Sequence, residues 1–179
     1  MKRQKLVGIS LAVGIFLSGC GSSTTSSESS FDVSSDILAI EDSMKIFQDL
    51  SSSARSDDSL QNLERVGGLV SSALDGVEAS TKKLLTNIDN SWDSIGPGDS
   101  ANGLSREVLK EWGEAYLYWV NHQRKIQAIG NECLVNLDSF YSCQNRNLSK
   151  VLELDRQSVE PLNAVQTKIK AWQEKYAGQ

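Results

Sequence analysis

Residues 60–88 read "LQNLERVGGLVSSALDGVEASTKKLLTNI". Within them Leu60, Leu63, Gly67, Val70, Leu74, Val77, Thr81, Leu84 and Ile88 recur at alternating spacings of three and four without a break. An α-helix advances 3.6 residues per turn, so positions spaced in this way line one stripe along its length. Such a stripe needs a neighbour to cover it, and the 3.5-residue average suits helices packed side by side at shallow angles. The stretch therefore predicts a long bundle helix, spanning about 58–92.

Other segments carry the same signature. Leu109, Trp112, Tyr116, Trp119, Gln123, Ile126, Gly130, Cys133 and Leu137 repeat the pattern and predict a helix over 105–139. Upstream, Ile37, Ile40, Met44, Phe47 and Ala54 do so over 35–54, with Ser51 filling the gap. A last set runs from Leu148 through Leu162 and Ile169 to Tyr176 and predicts a helix over 147–176. No stretch sustains the alternation of a strand. The expected fold is all-α, a mostly antiparallel bundle of four main helices.

Local signals place the ends. Oxygen-bearing side chains at 34–36 and 56–58 suit helix starts, where backbone N–H groups lack partners. Leu104 and Leu109 flank Ser105 at the spacing of a hydrophobic staple. The stretch "SIGPGDSANG" at 94–103 holds three Gly and one Pro and reads as a loop. Pro161 falls inside the fourth helix, where a proline removes a hydrogen bond, so a kink there or a break near Gln157 is expected. Gly67-Gly68 is either a hinge or a place where a bulky aromatic side chain of another helix approaches the backbone, and the second reading is preferred.

The N-terminus is different in kind. "MKRQK" carries three positive charges, Leu6 to Leu17 is apolar apart from Gly8, Ser10 and Gly14, and the run ends in Leu17-Ser18-Gly19-Cys20. A basic start and a short apolar core describe a secretory signal. About twelve apolar residues are too few to span a bilayer, which takes roughly 20. The aliphatic residue, two small residues and cysteine resemble the lipobox of bacterial lipoproteins. That resemblance covers only the first twenty or so residues. It implies that Cys20 receives a diacylglyceryl group, that the signal at 1–19 is removed, and that the protein is held on the extracytoplasmic face of a cell membrane. Residues 20–33, rich in Ser and Thr, then read as a tether, and 34–179 as the helical domain.

Removing Lys2, Arg3 and Lys5 with the signal leaves 15 basic against 23 acidic side chains, a net charge of −8. That balance disfavours nucleic acid and direct adhesion to anionic headgroups. Acids crowd the first half, 14 against five bases from Glu28 to Asp99, and read as solvated helix faces that complement the more basic second half. Cys133 and Cys143 form an even pair in an exported domain and are expected to bridge. Ten residues of continuous helix separate Cα atoms by about 15 Å, beyond the ~7 Å limit of a disulfide, so the helix carrying Cys133 must end before Cys143.

Chemistry is sparse. His122 is the only histidine, so a Ser-His-Asp or Cys-His site must route through it. It lies beside Arg124 and Lys125, off the stripe, and neither a nucleophile nor a carboxylate stands one turn away. Zinc wants several Cys or His ligands, which this domain lacks. Asp89 and Asp93 share a helix face but lack the glycine and terminal Glu of a calcium loop. No metal or cofactor is expected. Tyr118, alone among Trp112, Tyr116, Tyr118 and Trp119, falls off the stripe, and with His122 it is the candidate binding patch. The expected function is a non-enzymatic binding module of the bacterial envelope, with another envelope protein or a wall component as partner. A small-ligand receptor with a pocket between helices is the alternative, and a hydrolase centred on His122 a more distant one.

Overall fold

The computed structural model describes residues 33–56, 59–91, 105–135 and 139–176, which form helices α1 (Ser34–Ser56), α2 (Leu60–Ser91), α3 (Arg106–Leu134) and α4 (Phe140–Tyr176). No strand occurs among the described residues. Residues 1–32, Cys20 among them, and 92–104, with Asp93 and the staple residue Leu104, lie outside them.

Cross-helix pairs fix the directions. Asp36 meets Lys83 and Asn87 at one end of the α1–α2 pair, and Ser53 meets Asn62 at the other. Lys110 pairs with Asp89 and Gln127 with Gly67 between α3 and α2. Lys168 pairs with Glu111, and Cys133 with Cys143, between α4 and α3. In each case numbers rise on one helix as they fall on the other, so consecutive helices are antiparallel. This is the expected four-helix bundle.

Helix ends depart from expectation where a different group caps. At α2 the hydroxyl of Ser59 accepts from the Asn62 N–H at 3.3 Å, while Asp57, Asp58 and the side chain of Ser56 lie outside the described residues. At α1 the Val33 carbonyl accepts from the N–H groups of Asp36 and Ile37, which leaves the Asp36 side chain to reach α2. Ser105 caps α3 as expected, its hydroxyl accepting from Val108 N–H at 3.4 Å. The fourth helix starts at Phe140, several residues before 147, and runs unbroken through Pro161. The chain therefore does not break near Gln157. The prolyl ring only removes the donor that the Gln157 carbonyl would have used.

The core occupies one end of the bundle. Ile37, Ile40 and Met44 of α1, Leu74 to Ile88 of α2, Leu109 to Val120 of α3 and Val159 to Ile169 of α4 supply one continuous buried apolar cluster. Phe47 meets Trp119 edge-on at 4.9 Å, and Trp112 meets Tyr116 at 4.7 Å, the geometry that aromatic quadrupoles favour. Gly113 lets α2 come close, since a Cβ there would lie 2.8 Å from Leu85 Cδ2. Toward the α1–α2 turn and the α3–α4 turn the cluster stops. Val66, Ile129, Cys133 and Phe140 are buried there but stand apart from it.

Gly67-Gly68 corrects the sequence reading. Among the described residues no aromatic ring comes within 4 Å of where a Cβ would stand at either glycine. A Cβ at Gly67 would meet Asn131 Oδ1 at an ordinary 3.6 Å, and one at Gly68 would meet nothing within 4 Å. Instead Gln127 Nε2 donates to the Gly67 carbonyl at 2.6 Å, and α2 is continuous through both glycines.

Candidate functional site

The Tyr118–His122 pair is set by α3. The helix buries Trp112, Tyr116, Trp119 and Val120 against its neighbours, and this fixes its rotation. Tyr118 then points outward, 43% exposed, with exposed Glu114, Asn121 and Lys125 along the same ridge. His122 does not sit at the open flank that its charged neighbours suggest. It is 6% exposed and lies under Tyr118, the two rings tilted 33° with centroids 4.2 Å apart. Its Nδ1 is 2.9 Å from the Tyr118 carbonyl, which can only accept, so Nδ1 carries the proton and donates. The surface offered is thus a phenol ring backed by an imidazole and flanked by one anion and one cation. Such a ring presents a rigid apolar face with a polar tip, suited to a protein side chain or a sugar ring.

Other polar groups meet inside. Asp36 is 3% exposed and is held by Lys83 Nζ at 2.8 Å and by Asn87 Nδ2, which donates at 2.6 Å. Glu41 has one buried carboxylate oxygen without a hydrogen bond, and burial, with Asp42 beside it, pushes its carboxyl above the usual range. Burial, and then the negative charge of Glu41, push the Tyr116 phenol up. Trp112 Nε1 is buried without an acceptor. At the edge of the apolar cluster Gln123 Nε2 reaches Asp155 Oδ1 at 3.3 Å and Ser158 Oγ at 3.4 Å. Burial raises the Asp155 carboxyl, and the hydrogen bond from Gln123 opposes that rise. Ser158 is fully buried and donates to the Asp155 carbonyl at 2.6 Å. Sequence reasoning missed this layer, although Gln123 as a polar residue on the apolar stripe was its signal.

Cys133 and Cys143 lie at disulfide distance, with sulfurs 2.08 Å and Cα atoms 5.5 Å apart. The third helix ends at Leu134, as such a pairing requires. Asn147 Nδ2 donates to the Cys143 carbonyl at 3.0 Å and lies 3.6 Å from the Cys143 sulfur. Asp89 is exposed and pairs with Lys110 and Arg106, whose hydrogen bonds, Lys110 foremost, hold its carboxyl below the usual range. Among the described residues no three His, Cys, Asp or Glu side chains gather as metal ligands, and no helix is long and apolar enough to cross a membrane.

An open recess of about 390 Å³ near the α1–α2 turn is lined by Ser59, Gln61, Asn62 and Arg65. Its lining is polar, whereas small-molecule sites enclose most of the ligand in apolar walls. No family model, curated protein or solved structure matches this chain.

Proposed function

We propose that this protein is a lipoprotein, anchored through Cys20 on the extracytoplasmic face of a bacterial cell membrane, that works as a non-enzymatic binding module. The observation that carries the reading is the N-terminal run of basic residues, apolar core and Leu17-Ser18-Gly19-Cys20. Each acyl CH₂ that enters the bilayer adds about 0.8 kcal/mol, and more than one chain on the same residue makes anchoring stable. The partner is an envelope protein or a wall component, engaged through the outward ring of Tyr118, with His122 supporting it from beneath. A hydrolytic role for His122 has little support, because its ring is covered and the neighbouring residues of α3 include no Ser or Cys that it could activate.

Two measurements test the reading. Fatty-acid labelling should mark the wild type and not Cys20→Ser, and equal labelling removes the anchor. A photoreactive residue placed at Tyr118 should capture a partner in intact cells that the same residue at exposed Thr167 on α4 does not. Identical products from the two positions remove the patch. His122→Ala should lower the yield of that capture without abolishing it.

A further inference from the structure

We infer that the bundle is built to open at one end, with the α1–α2 arm over residues 48–69 separating from the α3–α4 pair while the apolar core, with Phe47 and Val70 packed against it, stays closed. The continuous buried cluster reaches only from Val33 to Met44 on α1, from Leu74 on α2, up to Val120 on α3 and from Val159 on α4. Beyond that boundary the interior changes chemistry. On α3 the buried apolar residues thin out to Ile129 and Cys133, and half-buried Gln123 and Gln127 and exposed Asn131 follow one another at one-turn intervals beside them. Gln127 holds α2 through the Gly67 carbonyl, and Asn62 holds α1 through the Ser53 carbonyl at 3.4 Å. Gln123 bonds instead to Asp155 and Ser158 of α4.

Amide side chains and backbone carbonyls exchange these partners for water with little net loss, whereas separating buried apolar side chains exposes surface that water does not compensate. The two ends therefore differ in the free energy needed to part them. Local units of differing stability are how folded proteins open without unfolding. The covalent arrangement sets which half moves. The Cys133–Cys143 pair ties α3 to α4 at the opening end, and Gln123 adds a second tie between them. Between the α1–α2 arm and α3 the described residues offer buried Val66 and Ile129, which stand outside the apolar cluster, and the Gln127 contact just described. Opening exposes the inner faces of α2 and α3 as a groove lined by amides with a narrow apolar floor.

Hydrogen exchange on the intact protein tests this directly. Amides of residues 64–69 lie past the first turn of α2, so fraying of the helix end does not account for their exchange. They should exchange at least about tenfold faster than those of residues 77–84 on the same helix, through an opening with its own denaturant dependence. Equal protection along α2, tracking global unfolding, overturns the proposal. A second measure is thiol labelling of Val66→Cys against Leu84→Cys, each compared with its own unfolding equilibrium. Faster labelling at 66 under native conditions supports the opening. Labelling of both only through global unfolding overturns it.

Discussion

Replacing three glycines of this bundle by alanine should change stability in different directions, and the direction follows from what a new methyl group meets. An interior helical glycine costs about 1 kcal/mol relative to alanine. At Gly68 a Cβ meets nothing within 4 Å, so Gly68→Ala should recover that full amount. For a domain of this size 1 kcal/mol corresponds to roughly 2–4 °C in the thermal midpoint. At Gly67 the nearest atom is Asn131 Oδ1 at 3.6 Å, an ordinary contact. The Gly67 carbonyl still faces Gln127, so Gly67→Ala should gain nearly as much. Gly113 is the opposite case. A Cβ would lie 2.8 Å from Leu85 Cδ2 and 3.0 Å from Leu85 Cγ, so the leucine must swing aside. Overpacking of this kind costs about 1–3 kcal/mol, and after the helical gain of about 1 kcal/mol the net effect runs from neutral to about 2 kcal/mol destabilising. Leu85 is only partly buried and has room to turn, which favours the lower part of that range.

Equilibrium unfolding in urea, followed by far-ultraviolet circular dichroism, should order the variants as Gly68→Ala, Gly67→Ala, wild type, Gly113→Ala, from most to least stable. A loss of stability at Gly67 or Gly68 would refute the reasoning. It would mean that the backbone there is not helical in solution, which is what a hinge requires.

Glu41→Gln should be more stable than wild type at neutral pH. The folded protein holds a proton on Glu41 more tightly than the unfolded chain, whose carboxyl titrates near 4.5, so this contribution to stability is full below that value and is lost as pH rises through the raised folded value. The stability gap should close on acidification toward pH 4.5, and a gap independent of pH counts against the burial argument. Ser105→Ala should destabilise the protein by about 1 kcal/mol by uncapping α3, and Ser105→Asp should restore it. Replacing Cys133 and Cys143 together by serine should lower stability by roughly 3 kcal/mol if the pair is oxidised. A non-reduced digest that finds both thiols free in protein from its native envelope removes that prediction.

The helices were legible because each carries an apolar stripe long enough to repeat many times, as from Leu60 to Ile88. Their ends were less so, since capping is a competition among adjacent polar residues. Ser59 accepts at the start of α2, one residue past the 56–58 stretch singled out in the sequence, and Asp36 at the start of α1 turns its carboxylate to Lys83 and Asn87 across the bundle. The exposure of Tyr118 followed from its place off the stripe. The burial of His122 did not, because the stripe gives a helix one face, and the width of the covered sector depends on how closely α2 and α4 flank α3. The aromatic contact expected at Gly67-Gly68 failed for a related reason. Absence of a side chain says that something can approach, not what does, and here an amide approached.

That amide belongs to a set whose behaviour separates two kinds of polar residue on an apolar stripe. Thr81 is fully buried on the stripe of α2, and its hydroxyl donates to the Val77 carbonyl one turn back at 2.7 Å. It satisfies itself within its own helix, so it interrupts neither the core nor the choice of partner. Gln123 and Gln127 have longer side chains whose amides bond across helices, Gln123 to α4 and Gln127 to α2. Sliding α2 or α4 along α3 by one turn would forfeit these bonds, each worth about 1 kcal/mol net, as well as the apolar contacts. The apolar repeat alone tolerates such a slide, because every turn of it looks like the next. The two glutamines do not, and they fix which turn of each neighbour α3 meets.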